Sequence, residues 1–340
     1  MSCLERHSYP AKGFQSEIEA MAFQNIQENY QKLNESISFK LFKQKMNVRI
    51  FQTAQLAAFD VALGLQQYLA HKPQIGICKN GSNLIESLCS HWLRTHTPMQ
   101  AKTENQSWYE YVENLVADTN FVMWASENEI TGEVIIPEKQ AEEIHQHLAK
   151  KRIFSIQIVH EENFCLKILT PYSILISKNQ LFSANSSVVL SGDKVKTPTL
   201  LGSFQDLKGL NSDFSFQEKT NEILISEIEL QFADKNIFYF NQFATPAHRL
   251  TDRVVFYFPD IAGTSLQQKL GLTADRCLTV SDIPFWSIDL WKNWWKEAES
   301  EKLIRGLLVI SVKAFQEDSA LVKKIESAIV EIRSLSTWTV

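Results

Sequence analysis

Short runs of apolar residues, each handed on to a helical stretch, constrain this chain more than any other feature. Residues 75–78 (IGIC) lead through the turn Lys79-Asn80-Gly81-Ser82 into a predicted helix over residues 83–93. Residues 120–126 (NFVMWAS) lead through a loop over 127–137 into a predicted helix over 138–151, with Ala141, Ile144 and Leu148 on one stripe. Residues 153–159 (IFSIQIV) follow at once, and 172–177 (YSILIS) and 187–190 (SVVL) read as further strands. Strands that are apolar throughout, rather than at every second position, are buried on both faces. Alternation with helices then implies a largely parallel sheet, helix-covered on both sides.

The pattern changes after about residue 205. Residues 222–232 and 253–258 alternate as antiparallel strands do, and 307–312 is another strand. A closing helix is expected over 317–335, where Leu321, Ile325, Ala328, Ile329, Ile332 and Leu335 share a face. Upstream, residues 15–70 read as helix, most strongly over 54–69. Residues 97–107 read as a polar loop, and 108–116 as a short helix. The expectation is an N-terminal segment and large α/β domain over 1–205, then a small α+β domain over 206–340.

Composition narrows the function classes. With 340 residues, 44% of them hydrophobic, the chain can bury a large core. A net charge of −5 gives no basic excess for nucleic acid or an anionic membrane. The five cysteines include no C-x-x-C pair and read as reduced thiols. The eight histidines are scattered, so no metal site is expected; His145 and His147, two apart, face different ways on a helix. No run is long enough for a membrane span and the first residues do not form a secretory signal, so the expected location is cytoplasmic.

The order of elements, together with several local strings, resembles the cysteine desulfurases of the class V aminotransferase family, which use pyridoxal phosphate (PLP). In residues 118–134 (DTNFVMWASENEITGEV), Asn128-Glu129-Ile130 keeps the core of the family's Asn-Asn-Glu-Ile-Gly stretch. Glu127 replaces its first Asn, and Thr131 is inserted before Gly132. Residues 253–270 look like the segment around the family's Gly-Glu-Ser-Leu motif, 307–335 like its last strand and closing helix, and 195–204 like its Gly-Thr-x-x-x-Pro segment. The resemblance implies PLP-transferase fold type I, with a mainly parallel large-domain sheet and a smaller α+β C-terminal domain.

That chemistry needs a lysine for a Schiff base, a carboxylate that keeps the pyridine nitrogen protonated, and backbone N–H groups for the phosphate. Gly81, Ser82 and Asn83 stand where the family binds phosphate, although a glycine turn with an ordinary cap would look the same. Asn128 is carried over as a cofactor contact. Gln157 stands at the carboxylate position, three residues before His160, which reads either as a cofactor contact or as a hydrogen-bonded strand-end histidine. Aligned on the family's Ser-x-His-Lys signature, Asn179 falls at the histidine and Gln180 at the lysine, and the glycines and proline after it are missing. Lys178, two residues from Gln180, is the one substitute amine. Ser281 falls at the sulfur-accepting cysteine, with Cys277 four residues earlier as an alternative nucleophile or a buried strand thiol. The family arginine that grips the substrate falls on Val309, and His96 is the only candidate for the stacking ring.

The expectation is therefore a non-catalytic relative, a pseudoenzyme, acting through a protein partner or as a homodimer or heterodimer with a related protein. PLP is implied by the resemblance but undercut by the missing lysine. The alternative is a PLP-dependent enzyme acting on an amino acid or sulfur substrate, with Lys178 as cofactor lysine; a weaker third reading is a small-anion binder at residues 81–83. The cluster Phe285, Trp286, Trp291, Trp294 and Trp295 reads either as packing or as a docking surface.

Overall fold

The computed structural model describes residues 47–51, 53–68, 74–79, 82–103, 106–160, 163, 170–178, 187–192, 194–195, 221–232, 238–239, 249–273, 276–282 and 304–336. Gly81, Asn179, Gln180 and the tryptophan cluster lie outside them, as does the expected helix before residue 47.

The first half runs β1 (Asn47–Phe51), α1 (Ala54–Tyr68), β2 (Gln74–Cys78), α2 (Asn83–Arg94), β3 (Met99–Ala101), α3 (Trp108–Glu113), β4 (Thr119–Ala125), α4 (Glu138–Lys150), β5 (Phe154–His160), β6 (Ser173–Lys178) and β7 (Ser187–Ser191). Its strands form one sheet in the order β1-β7-β6-β5-β4-β2-β3. The pairs from β3 through β2, β4 and β5 to β6 are parallel, while β7 and β1 close the edge antiparallel. This is the mixed α/β architecture with a mainly parallel sheet that the sequence implies. Along β4, Phe121 and Met123 face a core built with α1 and α2 (Val61, Leu65, Leu88, Trp92), whereas Val122 and Trp124 face one built with α3 and α4 (Tyr111, Ile144, Leu148). Two covered faces explain why the strand is apolar at successive positions.

Gly76 of β2 is needed for close packing: a Cβ there would stand 2.7 Å from Val122 Cγ2 and 2.8 Å from the Tyr111 hydroxyl. That hydroxyl is buried between two backbone partners, accepting from Ile77 N at 2.8 Å and donating to the Gln100 carbonyl at 2.8 Å.

The second half runs α5 (Glu222–Phe232), β8 (Phe238–Tyr239), β9 (Arg253–Tyr257), α6 (Gly263–Leu270), β10 (Cys277–Thr279), β11 (Leu307–Ser311), α7 (Val312–Glu317) and α8 (Leu321–Ser336). A four-stranded antiparallel sheet, β10-β11-β9-β8, packs Val254, Phe256, Leu308 and Ile310 against Ile225, Phe232, Leu266, Ile325 and Ile329 of its helices.

Four readings are corrected. Residues 222–232 are a helix, not a strand, because Ile225, Ile228, Glu229 and Phe232 bury one helical face. Residues 47–51 are an edge strand inside a stretch expected to be helical, and β3 lies in the expected loop, paired to β2. The closing helix begins at Leu321 rather than at 317, and residues 312–317 form a separate short helix, α7, whose N-cap Ser311 side chain accepts from Lys313 N at 3.2 Å. Among the described residues, no helix is long and apolar enough to cross a membrane, and no group of three His, Cys, Asp or Glu is placed to hold a metal ion.

Candidate functional site

The parallel strands β2, β4, β5 and β6 all end at one edge of the large sheet, the place where open α/β sheets take ligands. There β2 turns into the start of α2, β4 runs into the loop 126–136, β5 ends at His160 and β6 at Lys178. His160 and Lys178 are register neighbours across the β5–β6 pair.

Glu129 sits at the centre of this edge. Its Oε2 accepts from the backbone N–H of Asn83, the first residue of α2, at 2.9 Å, and its Oε1 forms an ion pair with the Lys178 ammonium. The Lys178 side chain is 18% exposed; burial lowers its pKa, and the Glu129 charge opposes that shift. Ser82 is the buried N-cap residue of α2 and makes no side-chain capping bond.

The loop that carries Glu129 is fixed from several directions. Asn128 Oδ1 accepts from Ile130 N at 2.9 Å and Thr131 N at 3.0 Å, an Asx turn within its own loop. Gly132 has φ 73°, the left-handed region that favours glycine, and its carbonyl accepts from Leu250 N at 2.7 Å. Arg253 donates to the carbonyls of Glu129 and Ile130. It also binds Asp252 through Nε at 2.6 Å and Nη2 at 2.9 Å, and Asp252 Oδ2 lies 3.4 Å from His160 Nε2. Burial works against the Asp252 charge, but Arg253 and His160 outweigh it and hold the carboxyl far below its usual range. Glu127, buried, accepts from His160 N at 3.1 Å and from the Asn163 side chain at 2.9 Å; burial raises its pKa.

Gln157 belongs to a separate chain of neutral groups inside the sheet. Its Nε2 donates to Ser126 Oγ at 2.5 Å, and its Oε1 accepts from His145 Nε2 at 2.9 Å. His145 Nδ1 then accepts from Ser173 Oγ at 2.9 Å, and Thr170 Oγ1 lies 2.7 Å from that hydroxyl. The tautomer with the proton on Nε2 satisfies every link. Burial depresses the His145 pKa to about 4, so the imidazole is neutral at neutral pH.

The sequence candidates fare unequally. Lys178 and Asn83 come together, through Glu129 rather than through a site left open for a ligand. Asn128 Oδ1 is engaged in the Asx turn, and both polar atoms of the Gln157 amide are engaged in the neutral chain. His160 ends β5 with its Nε2 3.4 Å from Asp252 Oδ2. Cys277 is fully buried in the second core, which fits the strand thiol and not an exposed nucleophile, whereas Ser281 is exposed on the 3-10 turn Val280–Asp282. Val309 is buried in β11, and His96 is exposed past the far end of α2 from Asn83. Glu129, Asp252, Arg253 and His145 were not singled out as site residues; the acidic pair Glu127 and Glu129, directly after a buried strand, was the available signal.

PLP would need a free lysine amine, a carboxylate at its ring nitrogen and open amides for its phosphate. Among the described residues the Lys178 amine is ion-paired, Gln157, which the resemblance puts at the ring nitrogen, is a neutral amide with both ends engaged, and the first amide of α2 is taken. In this arrangement they do not fit the cofactor.

No family model matches the chain, and no curated protein matches it. Solved structures do. A NifS-like protein superposes with a TM-score of 0.70 at 12% identity, covering 96% of this chain and 93% of its own. The apo cysteine desulfurase of Thermococcus onnurineus NA1 gives 0.62 at 10% identity, covering 94% and 86%. SspA in complex with cysteine gives 0.55 at 13% identity, covering 91% and 94%. At such identities the likeness establishes the fold alone.

Proposed function

We propose, from the premise that this chain has the cysteine desulfurase-like fold of the class V aminotransferases, that it is a non-catalytic homologue acting through protein binding or dimerisation. The observation that supports this reading is the chain Ser126–Gln157–His145–Ser173, which engages a buried neutral amide at the position that the resemblance assigns to the cofactor's carboxylate. An amide supplies no negative charge to keep a pyridine nitrogen protonated, so the ring would not serve as an electron sink. The neutral imidazole beside it adds no charge either. The fold also supports assembly, because the resemblance is to a family of homodimers with active sites near the subunit interface. A dimer of this chain, or of this chain with a related one, is the corresponding partner.

A second reading is favoured by Lys178, an ammonium at the end of β6 within reach of the α2 N-terminus, with a pKa lowered by burial toward the neutral amine that Schiff-base chemistry uses. Sulfide release from L-cysteine by the protein supplied with PLP and with dithiothreitol, the thiol that reduces the transferred sulfur to sulfide, separates the two. The first reading expects no release above a protein-free control. Release that disappears in Lys178→Ala would establish the second.

A further inference from the structure

We infer that Glu129 is a built-in anion that takes the place of the cofactor's phosphate at the start of α2 and holds Lys178 out of reach of any ligand. Two features on different elements converge on its carboxylate, and a third fixes its backbone. The first helical amide of α2, a partial positive charge at the helix N-terminus, donates to Oε2; the Lys178 ammonium, at the end of β6, pairs with Oε1; and Arg253, at the start of β9, grips the backbone of Glu129 itself. One carboxylate thus neutralises both groups that would otherwise attract a phosphate.

The aim of Glu129 is fixed by its backbone. Thr131 lengthens the loop by one residue relative to the family stretch, and its N–H is one of the two that Asn128 Oδ1 binds. The left-handed Gly132 and the Leu250 N–H close the other side. The neighbouring carboxylate, Glu127, is held by His160 N and Asn163 and so does not stand in for Glu129. Removing the Glu129 carboxylate therefore leaves a helix N-terminus and a largely buried ammonium without the carboxylate that bridges them, the Glu127 charge still acting on Lys178, a combination open to phosphate oxygens.

The inference goes beyond the proposed function, because it rests on Glu129, Lys178 and Asn83 and not on the Gln157 chain. Chemistry on added PLP tests that reading; the response to inorganic phosphate tests this one. The experiment compares thermal unfolding of the full chain in phosphate and in chloride at equal ionic strength. The wild type is expected to show no phosphate-specific shift. Glu129→Ala is expected to melt lower in chloride and to gain roughly 2–5 °C in saturating phosphate. The double variant Glu129→Ala/Lys178→Ala is expected to lose that gain. If Glu129→Ala does not fold, Glu129→Gln keeps the side-chain shape without its charge and is expected to show the same gain at smaller size. A phosphate-specific gain in the wild type equal to the variant's, or no gain in any folded Glu129 variant, overturns the inference.

Discussion

His145 is a buried imidazole whose two nitrogens are both engaged, by Gln157 and Ser173, and its chemistry makes it a gauge of the whole neutral chain. Its pKa is about 4 folded and 6.5 in the ordinary range, so between those values the unfolded chain binds a proton that the folded one does not. Stability then rises with pH across that window: it is fully present above 6.5 and is lost as pH falls toward 4, by roughly 3 kcal/mol. Urea unfolding at a series of pH values checks this, and His145→Gln should flatten the slope. Glu133 acts in the opposite sense. Burial raises its carboxyl to about 7 from 4.5, so the folded state binds the extra proton and stability falls as pH rises from 4.5 to 7. Glu133→Gln should remove that decline in the same titration. Gln157→Leu leaves Ser126 Oγ and His145 Nε2 each without its Gln157 partner and should cost about 1–3 kcal/mol in the same unfolding assay.

Elements of the large sheet were legible because β4 and β5 are buried on both faces, which leaves β4 apolar from Phe121 to Ala125, while the polar Ser155 and Gln157 of β5 are buried and hydrogen-bonded. Helix α5 was misread for a related reason. Ile223 and Leu230, 74% and 71% exposed, add apolar residues on the outer face, and with Ile225, Ile228 and Phe232 they imitate a period of two. The site was legible only in part. Lys178, Asn83, Gln157 and His160 were reached through the family resemblance, but the contact from Arg253 to the Glu129 carbonyl spans 124 residues of sequence and leaves no local pattern. The packing of α6 on β11 carries its own test. A Cβ on Gly263 would stand 1.9 Å from the Leu307 carbonyl oxygen, and one on Gly306 would stand 1.7 Å from that of Phe258. Both collisions are with backbone, so Gly263→Ala and Gly306→Ala should each destabilise by at least the ~1–3 kcal/mol of an overpacked core. The expected sign is a lower denaturant midpoint in each variant.

At the scale of the molecule, two sheets meet at a ligand edge whose polar groups are matched to one another. Glu129 joins Lys178 to α2, Asp252 joins His160 to Arg253, and the Arg249–Glu229 ion pair at 2.6 Å is buried beside the second sheet. Such pairs resist the loss of a single member, because the remaining charge is left buried. The most direct test is to incubate the full-length wild type with excess PLP, reduce with borohydride and determine the intact mass. The account predicts the unmodified mass; a stoichiometric gain of one reduced pyridoxyl phosphate, mapped to Lys178, would contradict it.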